Sequence, residues 1–184
     1  MNWRWIPNAI TVLRVLAALP LFWLLKTQQY EPAFWLAVAA GLTDALDGIL
    51  AKGLGWQSWL GSVLDPIADK LLLAACFLGL WLHPLPTWLV VLVLGRDLVI
   101  LAGALAWWRL MGSFTAEPSG ISKATTLVQL LLVAMVLAVL AHHPVAQDWI
   151  PPVVLATGAM TLVSGVDYVV RYGMRAWRRL GKGE

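Results

Sequence analysis

Charge is scarce in this chain and cysteine scarcer. Only 12% of the 184 residues are Asp, Glu, Lys or Arg, roughly half the share found in water-soluble domains, which excludes an ordinary soluble globule. The single cysteine, Cys76, excludes a disulfide within the chain, and its place inside an apolar run reads as packing. Internal repeats and low-complexity segments are also lacking.

What is abundant is apolar sequence, 60% of the chain. Six runs, at roughly 8–25, 32–52, 58–82, 86–110, 122–142 and 151–173, reach the ~20 residues that a helix needs to cross a bilayer. Proline-bearing polar stretches separate most of them, among them "KTQQYEP", "HPLP" and "HHPVAQDWIPP". The expected fold class is an all-α integral membrane protein of six transmembrane helices. The first run carries Arg14 and lacks a small-residue cleavage pattern, so it reads as a retained helix rather than a signal peptide.

Six spans put both termini on one side, and flanking cations orient them. Arg4, Lys52, Arg109, Lys123, Arg171, Arg175, Arg178, Arg179 and Lys182 share that side, while the opposite loops hold Lys26, His83, His142 and His143. Both termini, and the loop between the second and third helices, are therefore expected in the cytoplasm of a bacterial-type inner membrane. The 12 tryptophans cluster near span ends, as interfacial anchors do. A single membrane domain is expected over 1–175. The basic tail at 176–184 reads as a segment lying against anionic lipid headgroups, not as a nucleic-acid binder.

Against this background the stretch "TDALDGILAKGLGWQSWLGSVLDPIADK" is anomalous, since Asp44, Asp47, Asp65 and Asp69 fall within it although the chain has only 10 acidic residues. Carboxylates at membrane depth are costly and usually mark an ion, substrate or proton site. Asp44 and Asp47 are three apart and Asp65 and Asp69 four apart, so each pair shares a helix face. A short connection makes the two helices antiparallel neighbours, bringing all four carboxylates together just below the cytoplasmic surface. Cations make such a cluster tolerable, and oxygen-only ligation selects hard ions such as Mg²⁺ or Mn²⁺. Gly48, Ala51 and Gly61 suit either close helix packing or close approach of a ligand to backbone; beside four aspartates, the ligand is preferred. Pro66 removes a backbone hydrogen bond within the third helix.

The pattern Asp44-x-x-Asp47-Gly48-x-x-Ala51-Lys52, eight residues, then Gly61-x-x-x-Asp65-x-x-x-Asp69 resembles the signature of the CDP-alcohol phosphatidyltransferases. Every fixed position matches except Lys52, where the family has Arg; charge survives there but bidentate geometry does not. "IPNAITVLR", "DPIADK", "GRD" and "SKATTLVQ" resemble segments of the branch holding cardiolipin synthases and phosphatidylglycerophosphate synthases. The resemblance implies a six-helix membrane enzyme, commonly a homodimer, with two Mg²⁺ or Mn²⁺ ions at the aspartates. It further implies that an alcohol attacks the β-phosphate of CDP-diacylglycerol and CMP leaves.

By that resemblance Asp44, Asp47 and Asp65 ligate metal, and Asp69 takes the acceptor's proton while also touching an ion. Lys52 holds phosphate, and Gly48, Ala51 and Gly61 border the CDP donor with Asn8 and Thr11 from the first helix. Arg96, Lys123 and Arg109 are candidates for the acceptor, with pairing to Asp97 the alternative for Arg96. Arg14 shares a face with Asn8 and Thr11, in headgroup contact or structural hydrogen bonding. Asp167 has no evident partner. Replacing Asp69 with Asn is expected to abolish turnover with little loss of stability.

A small ion-coupled transporter is the competing reading, but it should leave polar residues through the bilayer rather than at one face. The acceptor is read from "SKATTLVQ": phosphatidylglycerophosphate synthases of the branch usually carry two lysines there, which suit the dianionic phosphate of glycerol 3-phosphate. Here Lys123 is followed by Thr125, which suits phosphatidylglycerol and makes cardiolipin the expected product.

Overall fold

The computed structural model describes the backbone of residues 6–54, 59–81, 83–111, 119–144 and 147–180, and the side chains of 11–43, 65, 67–81, 83–109, 119–144 and 147–175. Six long helices account for nearly all of it: α1 (Ile6–Lys26), α2 (Tyr30–Leu54), α3 (Trp59–Gly79), α4 (Thr87–Met111), α5 (Gly120–Leu140) and α6 (Ile150–Leu180). They lie where the apolar runs fall. A short 3₁₀ turn, Gln147–Trp149, precedes α6.

Local chemistry sets several of the helix ends. Past α1, Gln28 adopts a left-handed conformation (φ 57°), and the amides of Gln28 and Gln29 donate to the carbonyls of Leu25 and Leu24 at 3.2 and 2.9 Å. Past α5, His142 does the same (φ 60°), with His142 and His143 donating to Val139 and Ala138 at 3.0 and 2.9 Å. Each satisfies terminal carbonyls in the pattern usually built on glycine. Ser119 caps α5, its hydroxyl accepting from the Ser122 amide at 3.2 Å, as N-cap serines do. Pro151 and Pro152 sit in the first turn of α6, where the amide they lack has no helical partner to lose. α3 continues through Pro66.

The helices form two compact units. One comprises residues 1–85 and 133–147, the other 86–132 and 148–184, so the boundary falls within α5, after Leu132. In the first, α1 packs against both α2 and α3. Leu21, Leu25, Phe77 and Leu80 are fully buried or nearly so. A Cβ on Gly79 would lie 2.6 Å from that of Leu25, so the two backbones approach too closely for any larger residue. In the second, α4 packs against α6, with Gly158 against the Trp88 ring and Gly103 against Tyr168. The Tyr168 hydroxyl donates to the Ile100 carbonyl at 3.0 Å.

Large apolar side chains face outward while several polar ones are enclosed. Thr11, Arg14, Arg96, Thr125, Gln129, Thr157, Thr161 and Ser164 are buried, while Leu19, Leu101, Leu127 and Leu155 are well exposed. An apolar exterior, with polar side chains enclosed among an apolar core, suits hydrocarbon, where polar groups must be satisfied internally. Among the described residues, Thr87–Arg109, Gly120–Leu140 and Gln147–Arg175 are long and apolar enough to cross a membrane.

Candidate active site

The first unit contains the aspartates of the candidate site. Asp65 and Asp69 lie one turn apart on α3, and α1 reaches across to both. The Thr11 hydroxyl donates to Oδ1 of Asp65 at 2.5 Å, and Nη1 of Arg14 donates to Oδ1 of Asp69 at 2.8 Å. Three residues separate the donors and four the acceptors, the two spacings that return to one face of a helix. One stripe of α1 therefore matches one stripe of α3.

Burial differs across these contacts. Thr11 is fully buried, and the Arg14 side chain is 1% exposed while the Asp69 carboxylate is 47% exposed. A guanidinium so enclosed needs a nearby anion, because an uncompensated buried charge costs several kcal/mol. Asp69 is thus anchored by Arg14 while its carboxylate stays about half exposed. Asp65 is half-buried. Both carboxylates offer oxygen alone, the donor set of a hard divalent cation, and the Thr11 and Arg14 contacts fix their orientation. This face fits Mg²⁺ or Mn²⁺.

Asp44, Asp47, Gly48, Ala51 and Lys52 fall in the second half of α2 and Gly61 in the first turn of α3. Their side-chain surroundings, like those of Asn8, lie outside the described residues.

The acceptor candidates lie in the second unit. Arg96 is buried and donates to Asp97 at 2.6 Å, Ser122 at 2.6 Å and Ser164 at 2.7 Å. Pairing with Asp97 was open from sequence; the two serines were not singled out. Their spacing was visible, because Ser122, Thr125 and Gln129 recur along one face of α5, as do Thr157, Thr161 and Ser164 on α6. Gln129 donates to Thr161 at 3.1 Å, continuing the polar seam. Thr125 belongs to it too, its hydroxyl set between the carbonyls of Ile121 (2.8 Å) and Met160 (3.2 Å). Lys123 and Arg109 are exposed. Asp167 gains the partner that sequence reading left open, accepting from Nε of Arg171 at 2.6 Å one turn along α6. Cys76 is free and buried.

The model of the CDP-alcohol phosphatidyltransferases matches residues 4–164, a stretch that contains all four aspartates, Lys52, Arg96 and Lys123. The chain belongs to that family. A CDP-diacylglycerol–glycerol-3-phosphate 3-phosphatidyltransferase from Pseudomonas fluorescens is 33% identical over 178 residues, 89% of this chain and 88% of its own. A chloroplastic protein of the same description from Oryza sativa subsp. japonica is 32% identical over 189 residues, 91% of this chain and 56% of its own. A cardiolipin synthase (CMP-forming) from Rattus norvegicus is 31% identical over 187 residues, 92% of this chain and 62% of its own. This phosphatidyltransferase-family chain thus spans little more than half the length of the rice and rat relatives.

Proposed function

We propose that this chain is a phosphatidyltransferase that moves a phosphatidyl group from CDP-diacylglycerol to a glycerol-type hydroxyl, releasing CMP. The observation that carries the reading is the pair Asp65 and Asp69, one turn apart on α3 and each held by a buried side chain of α1. These are the two C-terminal acids of the signature. A scaffold protein has no need of two acids on one helix face, each held by a buried side chain of a neighbouring helix.

In this reading Asp44, Asp47, Asp65 and Asp69 hold two divalent cations, Mg²⁺ or Mn²⁺. When bound, the cations neutralise charge on the diphosphate and on the leaving CMP. Thr11 keeps Asp65 in a single orientation. Asp69, about half exposed, takes the proton from the acceptor hydroxyl as that oxygen attacks the β-phosphate, a contribution of typically ~10²–10⁴-fold. Lys52 holds a phosphate oxygen as a point charge, and Gly48 and Ala51 leave room for the cytidine. Asn8 and Gly61 complete the donor site, and Arg96, Lys123 and Arg109 serve the acceptor.

The proposed acceptor is phosphatidylglycerol and the product cardiolipin. Position 125 supports this: its side chain is a buried threonine bonded to backbone carbonyls, so of the two positions only Lys123 offers a cation. A monoanionic phosphodiester asks for less charge than a dianionic phosphate. Glycerol 3-phosphate is the second reading, favoured by the Pseudomonas fluorescens relative, which this chain matches over most of both lengths. The rest of the proposal is a homodimer of six-span protomers in a bacterial-type inner membrane, with termini and site on the cytoplasmic side. The basic tail at 176–184 lies against anionic lipid, and α6 runs helically to Leu180.

The test is to offer purified protein CDP-diacylglycerol with Mg²⁺ or Mn²⁺ and both acceptors in competition, following CMP and identifying the lipid by mass. No CMP release with either acceptor overturns the enzyme reading. Preference for glycerol 3-phosphate overturns the cardiolipin reading and leaves the phosphatidylglycerophosphate one.

A further inference from the structure

We infer that α1 sets the metal affinity of the acidic face through two contacts of opposite sign. Thr11 orients a ligand and strengthens binding; Arg14 is a standing counter-cation that binding must work against. The inference rests on the metal-site reading proposed above and adds two positioning residues to it.

Both contacts join side chains 54 and 55 residues apart in sequence, and both donors are buried. They differ in charge. A hydroxyl donating to Oδ1 of Asp65 fixes the rotation of that carboxylate without opposing a cation on it. Loss of an outer hydrogen bond of this kind typically lowers metal affinity about 10–100-fold. A guanidinium 2.8 Å from Oδ1 of Asp69 also fixes its carboxylate. However, it places a positive charge beside a position meant for another, and like charges a few ångströms apart repel appreciably in a partly buried site.

Arg14 thereby has a clear use in the metal-free protein. In the reading proposed above, Asp44, Asp47, Asp65 and Asp69, all within 26 positions of sequence, share one site, where they would repel one another when no cation is present. A buried arginine bonded to one of them supplies positive charge permanently. The protein can then fold before it loads, at the expense of affinity once it does.

The experiment uses the full chain in detergent, purified with Mn²⁺ and then stripped. Free Mn²⁺ is followed by its electron paramagnetic resonance signal during titration, and thermal unfolding is recorded with and without Mn²⁺. Thr11→Val is expected to bind Mn²⁺ about tenfold more weakly than wild type, and Thr11→Ser to restore binding. Arg14→Met is expected to bind about tenfold more tightly and to gain more in melting temperature on adding Mn²⁺ than wild type does. Arg14→Lys, which keeps the charge, stays within about threefold of wild type.

Opposite movement of the two sites is the signature that a merely structural role cannot produce. An Arg14→Met protein that folds only with Mn²⁺ supports the counter-cation role. One that fails to fold even with Mn²⁺ overturns it, as does weaker binding in Arg14→Met or unchanged binding in Thr11→Val. Wild-type protein that binds no Mn²⁺ yet releases CMP overturns this inference and the metal assignment while leaving the transferase reading intact.

Discussion

Asp69→Asn separates chemistry from architecture at the centre of the site. The substitution removes the group proposed to accept the hydroxyl proton, so turnover should fall by about 10²–10⁴-fold, the usual worth of a positioned general base. Sequence reading alone expects little loss of stability, and the contact with Arg14 puts a magnitude on it. Stripping a partner from a fully buried ion pair costs about 3–5 kcal/mol. Here Arg14 is buried but Asp69 is 47% exposed, so water screens much of the interaction. An asparagine oxygen also still accepts the 2.8 Å hydrogen bond. About 1–2 kcal/mol remains, a fall in melting temperature of about 2–8 °C for a chain this long. The assay is CMP release from CDP-diacylglycerol at a temperature where both proteins are folded, paired with thermal unfolding in the same detergent. More than about a tenth of wild-type turnover in the variant would remove Asp69 from proton transfer. A loss well above about 3 kcal/mol would show the acid to be chiefly a structural partner of Arg14.

Exhaustive chelation of divalent metal should abolish CMP release, with Mg²⁺ or Mn²⁺ restoring it; turnover that survives chelation refutes metal ligation by the aspartates. Lys52→Arg should keep donor binding, whereas Lys52→Ala should raise the apparent KM for CDP-diacylglycerol, and an unchanged KM would place this side chain away from the diphosphate. Gly79→Ala should destabilise by about 2–3 kcal/mol, because the new methyl would lie 2.6 Å from Leu25 Cβ, an atom that moves only with its backbone. Gly158→Ala should cost about 1 kcal/mol, since the atoms it meets at 2.5 and 2.8 Å are the rim of a Trp88 ring that is 47% exposed and free to swing. Equal melting temperatures for the two variants would refute the distinction.

What the sequence determined by itself is local or periodic. Apolar runs of membrane length place the six helices, and Ser119 and the prolines at 151 and 152 mark helix starts within a few residues of themselves. The aspartate spacing carries the family because it is a fixed pattern along a short stretch. The ion pair of Asp167 with Arg171 escaped the sequence reading, although a four-residue spacing of opposite charges on one helix signals it. Two further features belong to the tertiary structure. The resemblance around "IPNAITVLR" puts Thr11 near the donor, but no periodicity shows that Thr11 and Arg14 bond the acids of α3, since the contacts cross 54 and 55 residues; two helices set adjacent by packing produce them. The same holds for Arg96, whose hydrogen bonds reach Ser122 and Ser164 because the polar faces of α4, α5 and α6 have no water to turn to. Helix periodicity tells which residues share a face. Only packing decides which face meets which, because the energy that selects the pairing resides in side chains distant in sequence and adjacent in space.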